Sequence, residues 1–103
     1  MTFYPLEKLH QLHDGYCRSF RAGGKALLLV QVDGKTHLLE NRCPHMDAPL
    51  DRATFQANTL RCPVHGIEFD LDTGSAMGSL ANCIGNLQRF SIAYEGNTLG
   101  VMF

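Results

Sequence analysis

The sequence repeats a short motif whose side chains can bind a metal. Arg42-Cys43-Pro44-His45 returns 19 residues later as Arg61-Cys62-Pro63-Val64-His65. Each copy places one thiol and one imidazole within a tight turn, and sixteen residues separate the two copies' ligands. That interval has room for a strand, a turn and a return strand, so the two loops can lie side by side. The spacing predicts one four-ligand site formed by Cys43, His45, Cys62 and His65.

Two chemistries suit this set of ligands. Two cysteines and two histidines can hold a tetrahedral zinc ion, or a [2Fe–2S] cluster in which two histidines replace two cysteines on one iron. A zinc finger usually pairs like ligands, as C-x₂₋₄-C and H-x₃₋₅-H, whereas each loop here mixes one cysteine with one histidine. The mixed loops favour two irons side by side, and zinc stays open on spacing alone.

Short strands and turns must position the two loops. Runs at 26–32 and 35–40 flank Asp33-Gly34, which is a strong hairpin signal. Leu6, Leu9 and Leu12 predict one short helical turn, and residues 74–86 predict a long loop. The other predicted strands are 16–21, 59–61, 67–70, 88–94 and 98–103. The pattern predicts a small all-β domain, a sandwich or a barrel, with loops inserted in its middle.

The two loops resemble the cluster-binding loops of Rieske proteins. Residues 43–50, CPHMDAPL, resemble the first loop, and residues 62–74, CPVHGIEFDLDTG, resemble the second with its C-P-x-H-G-x-x-F-D-x-x-T-G extension. The resemblance is close over 41–74 and looser in the flanks. It implies one Rieske-type [2Fe–2S] cluster, with Cys43 and Cys62 on one iron and His45 and His65 on the other.

The resemblance also implies the fold and the branch of the family. It implies an antiparallel β-sandwich or barrel, with residues 1–103 as one domain and a cluster-binding subdomain at roughly 41–75. Ala48 and Val64 replace the cysteines of the loop disulfide in the respiratory-complex branch, and Ile67 replaces a serine that donates to the cluster there. Asp47 replaces a usual glycine. The chain therefore resembles the soluble ferredoxin branch, as found in ring-hydroxylating dioxygenase systems.

Composition excludes several classes of protein. The chain has 103 residues, enough for about one domain. Nine basic and ten acidic residues argue against binding nucleic acid through bulk charge. The longest apolar run, Ala26–Val30, is far shorter than the roughly 20 residues that span a bilayer. Since no secretory signal is visible at the N-terminus, we expect a cytoplasmic protein without a membrane partner, whose cysteines serve a metal rather than disulfides.

The expected function is one-electron transfer. The resemblance implies a monomeric carrier that takes electrons from a flavoprotein reductase and passes them to a terminal oxygenase or reductase. No nucleophile–base pair is visible, so we expect no catalytic residues and no enzyme activity of its own. Two alternatives stay open: a small subunit of a larger reductase, similar to the nitrite reductase small subunit, and a structural zinc-binding module.

The remaining histidine, cysteine, apolar loop and aromatic side chains have simpler interpretations. His10, His13 and His37 are expected to be surface or strand residues, and Cys17 and Cys83 ordinary thiols. Met46 and Leu50 could either cover the cluster or form an apolar docking rim with Pro49 and Ile67. The aromatic residues expected in the core are Phe3, Phe20, Phe55, Phe69, Phe90 and Tyr94.

Overall fold

The computed structural model describes residues 1–44, 49–63, 66–78 and 85–103. Within these ranges there are nine strands and one short 3-10 helix at Leu9–Gln11, and no helix long and apolar enough to cross a membrane. The strands are β1 (Phe3–Lys8), β2 (Cys17–Ala22), β3 (Lys25–Val32), β4 (Lys35–Glu40), β5 (Thr54–Gln56), β6 (Thr59–Arg61), β7 (Glu68–Asp70), β8 (Ile92–Glu95) and β9 (Thr98–Met102).

The strands form three antiparallel sheets, and the central one is β2-β3-β4. The turn at Asp33-Gly34 joins β3 to β4 as predicted, with both residues at positive φ. Leu28 and Val30 contribute to one hydrophobic cluster, while Leu27 and Leu29 contribute to the other. Because alternate side chains point to opposite faces of a strand, β3 is buried on both faces. This explains its continuous apolar run.

The other two sheets cover opposite faces of the central sheet. Leu99 and Val101 of sheet β1-β9-β8 pack in the cluster that contains Leu27 and Leu29. The opposite cluster receives side chains from sheet β5-β6-β7, chiefly Leu60 and Phe69, together with Cys43 and Cys62. The antiparallel all-β fold predicted from the sequence is confirmed, and the cysteine-bearing loops lie on one defined face of the central sheet.

The segment predicted as a strand over 88–94 serves two sheets. The Phe90 N–H donates to the Leu38 carbonyl (2.9 Å), and Arg89 forms an isolated bridge with Leu39 on the central sheet. The chain then crosses over, and β8 pairs with β9 from Ile92 onward. The expectation that Tyr94 is a core residue was wrong: it lies on β8, one of the two edge strands of its sheet, and is 58% exposed.

Two strands, β1 and β5, were not predicted from the sequence. Residues 3–8 pair with β9, so only the 3-10 turn at Leu9–Gln11 remains of the predicted helical turn. The three-residue strand β5 pairs with β6 through a turn at Ala57-Asn58, and Ala57 has a φ of 52°. Neither pairing has a local sequence signal. β1 pairs with the other end of the chain, and the β5–β6 hairpin has no glycine in its turn.

His37 lies on β4 as expected, but it is buried, with 4% exposure. Within the described part of the chain its Nε2 has no hydrogen-bond partner. Burial lowers the pKa of this imidazole, opposed in part by the Asp72 carboxylate. His37 is thus a neutral core residue at neutral pH.

A tyrosine links the central sheet to β1. The buried Tyr16 hydroxyl donates to Glu7 Oε2 (2.7 Å), and Arg18 Nη1 lies 3.4 Å from the same oxygen. The hydrogen bond from Tyr16 lowers the pKa of Glu7. Burial, and then the hydrogen bond to Glu7, raise the pKa of Tyr16 to about 12.

This link predicts a loss of stability in alkali. The unfolded tyrosine has a pKa of about 10, so its contribution is complete below pH 10 and decreases as pH rises toward the folded value. Tyr16→Phe should cost about 1.5–3 kcal/mol at neutral pH, because it removes a hydrogen bond to a carboxylate. Thermal unfolding at pH 8 and pH 11 tests this. The midpoint should fall less between these pH values in Tyr16→Phe than in the wild type, and equal falls would contradict the assignment.

Candidate metal centre

The first loop leaves β4 and is closed by the side chain of Asn41. The Asn41 N–H donates to the Ala26 carbonyl (2.9 Å), which fixes the loop's start to β3. The Leu50 N–H donates to Asn41 Oδ1 (2.6 Å), which ties the loop's far end to its start. One asparagine thereby brackets the segment that contains Cys43 and His45. Asparagine commonly bonds neighbouring backbone in this way.

The second loop is the tip of the β6–β7 hairpin. Ladder pairing ends with Arg61 opposite Glu68. Beyond it, the Cys62 N–H donates to the Ile67 carbonyl (2.8 Å), and the Gly66 N–H donates to the Cys62 carbonyl (3.0 Å). Gly66 has a φ of 67°, which a side chain would strain. The glycine after His65 is therefore a requirement of the backbone at the point where the loop turns back.

The F-D-x-x-T-G extension is a second structural turn behind this loop. Asp70 Oδ1 accepts hydrogen bonds from the N–H of Asp72 (2.7 Å) and of Thr73 (3.4 Å). Gly74 has a φ of 79°, and a Cβ there would lie 2.5 Å from the Leu87 carbonyl oxygen. The Leu87 N–H donates to the Gly74 carbonyl (2.7 Å). The extension thus joins the hairpin to the returning chain.

Both predicted cysteine ligands are buried in the same hydrophobic cluster. Cys43 is 0% exposed and Cys62 is 1% exposed, and both belong to the hydrophobic cluster on one face of the central sheet. Leu50 and Leu60 are completely buried in that cluster. Thiolates are the ligands of iron–sulfur clusters, and apolar surroundings control solvent access to such a centre. Two buried thiols in one hydrophobic cluster, one from each loop, fit the cysteine half of a [2Fe–2S] site.

The histidine half lies outside the described residues. His45 and His65 belong to the ranges 45–48 and 64–65, and Cys83 belongs to 79–84. Asp47, Ala48 and Met46 lie there too. The four-ligand assignment therefore stays a prediction. Cys17 is half-buried on β2, with its Sγ 3.8 Å from the Asp51 carbonyl oxygen, and burial raises the pKa of its thiol.

The docking-rim interpretation is wrong for Ile67, and of the two interpretations left open for Leu50 the structure supports a buried covering residue. Leu50 is completely buried, and Ile67 is 7% exposed. Both side chains pack in the cluster that holds the cysteines, so they cover the site from within. Pro49 is exposed, and Met46 lies outside the described residues. Apolar character alone does not show which loop residues point into the core and which are exposed to solvent.

Sequence reasoning missed two residues that shape the loops. Asn41 has the side-chain chemistry of a loop brace, and its position immediately before the first motif was the only available signal. Arg61 packs its guanidinium against Gly66: a Cβ on that glycine would lie 2.9 Å from Arg61 Nη2. The sequence shows an arginine before each cysteine, but not the direction in which its side chain turns.

Comparison with known proteins finds a matching family and similar structures. The chain matches the Rieske [2Fe-2S] domain family over residues 2–90. It is 33% identical over 72 residues to the ferredoxin component of the naphthalene 1,2-dioxygenase system of Pseudomonas putida, covering 70% of this chain and 67% of that protein. Among solved structures it is similar to the ferredoxin of carbazole 1,9a-dioxygenase from Nocardioides aromaticivorans IC177, with a TM-score of 0.83, 25% identity, and coverage of 98% and 97% of the two chains.

A further relative is much longer. The chain is 38% identical over 63 residues to human apoptosis-inducing factor 3, covering 61% of this chain and 10% of that protein. It thus matches about a tenth of the length of that relative.

These matches establish the family. The chain belongs to the Rieske [2Fe–2S] domain family, and its cofactor is a [2Fe–2S] cluster with cysteine and histidine ligands. The resemblance found in the two loops is therefore confirmed at the level of the whole fold.

The Asn41 brace predicts a specific weakness. Asn41→Ala leaves the part-buried Leu50 N–H without its acceptor, so it should cost about 1–3 kcal/mol and hasten cluster loss from the loosened first loop. The measurement is the rate of bleaching of the visible absorbance at raised temperature. Asn97→Ala, at an exposed turn between β8 and β9, is the control and should bleach like the wild type. Equal bleaching of the two variants would show that the brace is dispensable.

Proposed function

We propose that this chain is a one-electron carrier that takes electrons from a flavoprotein reductase and passes them to a terminal oxygenase, without catalysing a reaction itself. The observation that carries this proposal is the match to a dioxygenase ferredoxin over 98% of this chain and 97% of that one. The ferredoxin component of the naphthalene 1,2-dioxygenase system supports the same role.

We propose Cys43 and Cys62 as the ligands of one iron, and His45 and His65 as the ligands of the other. The buried pair of thiols supports the cysteine half, and the one-Cys, one-His composition of each loop supports the division. When bound, the cluster supplies one-electron chemistry: two thiolates leave it neutral when oxidised, so it accepts an electron more easily than a four-cysteine cluster. The chain's part is to exclude water from the sulfur side through Leu50, Leu60 and Ile67.

The same proposal includes the organisation and location of the carrier. We propose a monomeric single domain over residues 1–103 with its cluster-binding subdomain at roughly 41–75, the range that contains β5, β6 and β7. We place it in the cytoplasm, where thiols are kept reduced and cysteines serve metals more often than disulfides.

Metal and sulfide analysis tests the site. The purified protein should contain about two irons and two acid-labile sulfides per chain. Single replacement of Cys43, His45, Cys62 or His65 by Ala should lose or damage the cluster, since each removes an iron ligand. Cys17→Ala is the matched control, because it removes a half-buried thiol beside the same hydrophobic cluster, and its spectrum should be nearly unchanged. One zinc without sulfide would overturn the proposal in favour of the structural zinc module.

Reconstituted electron transfer tests the role. A reductase and an oxygenase from the same organism should couple NAD(P)H oxidation to substrate oxygenation when this chain is added at micromolar concentration, and not when the Cys43→Ala variant is added. A carrier should act through transient encounters, so size-exclusion chromatography should recover it separate from both proteins. Recovery in a stable complex with a larger reductase would instead identify it as a subunit of that enzyme.

A further inference from the structure

The last residue of β6 turns its charge toward the second cluster-binding loop. Arg61 lies directly across the ladder from Glu68, where an ion pair between neighbouring strands would be expected. No such pair is formed between these two described residues. The guanidinium lies instead against Gly66: a Cβ on this glycine would be 2.9 Å from Nη2 and 3.1 Å from Nε.

Gly66 makes this position available to the arginine. Its φ of 67° suits glycine, and the absence of a side chain leaves the space that the guanidinium occupies. Arg61 and Gly66 bracket the loop segment that contains Cys62 and His65. The hydrogen bond from the Gly66 N–H to the Cys62 carbonyl (3.0 Å) keeps both ends of that segment together. The positive charge is therefore held at the base of the loop by local geometry.

We propose that Arg61 raises the reduction potential of the cluster; this inference rests on the proposed function, in which Cys62 and His65 are ligands. Reduction adds one electron from an external donor and gives the neutral cluster one negative charge. A nearby cation stabilises that charge more than it stabilises the neutral, oxidised form. Arginine carries a fixed positive charge. Arg61 is thus a positioning charge and not a ligand.

The size of the effect follows from Coulomb's law in a partly solvated setting. For an exposed charge close to the loop, the reduction equilibrium should change about two- to fivefold. A tenfold change corresponds to about 59 mV for a one-electron couple, so the expected shift is resolvable in a redox titration. Added salt should reduce it, because the guanidinium is exposed to solvent.

The experiment compares the midpoint potentials of the loaded wild type with three variants at low ionic strength. Arg61→Gln should lower the reduction equilibrium constant about two- to fivefold, and Arg61→Lys, which keeps the charge, should stay near the wild type. Arg18→Gln is the matched control. It removes the same charge from β2, where the guanidinium contacts Glu7 of β1 on the other face of the central sheet. Its potential should not change.

Optical titration reads only loaded molecules, so partial loss of cluster in one variant does not prevent the measurement. An Arg61→Gln potential equal to that of the wild type would overturn the inference, even if reduction by the reductase became slower, because the charge would then serve docking alone. A shift of equal size in Arg18→Gln would also overturn it. A wild type without iron and sulfide would instead contradict the proposed function, before Arg61 comes into question.

Discussion

Burial of Cys43 and Cys62 in one hydrophobic cluster is the constraint on which the site depends. Each cysteine comes from a different loop, and both are packed on the same face of the central sheet. Leu28 and Val30 of β3 belong to the same cluster. The opposite face of that sheet is filled by a separate cluster under β1, β8 and β9. The central sheet is therefore buried on both faces, with the two cysteines on one of them.

Hydrogen bonds, rather than a covalent link, hold the described parts of these loops. The loop-bridging disulfide of the respiratory branch has no counterpart, since Ala48 and Val64 occupy its positions. The first loop is closed by the Asn41 side chain, and the second by backbone bonds between Cys62 and the Gly66-Ile67 pair. Two glycines at positive φ, Gly66 and Gly74, then allow the chain to turn closely behind the site. These hydrogen bonds connect the start of each loop to its end.

Much of this was predictable because the relevant signals are local. The Asp33-Gly34 hairpin and the strand at 59–61 follow from turn chemistry and residue type, and the paired Cys-Pro motifs predict the site. The errors arise where the structure of a segment depends on residues that are distant in the sequence. Residues 3–8 become a strand because β9 offers an edge, and Leu50 is buried because the first loop folds back to Asn41. Tyr94, on an edge strand of its sheet, is 58% exposed although it alternates with polar residues as a core side chain would. No local pattern encodes these three outcomes.

Mössbauer spectroscopy of the ⁵⁷Fe-loaded, oxidised protein tests the proposed division of ligands between the two irons. One iron bound by the thiolates of Cys43 and Cys62 and one bound by the imidazoles of His45 and His65 should give two distinct quadrupole doublets of equal area. A single doublet, with both irons in the same environment, would contradict this division.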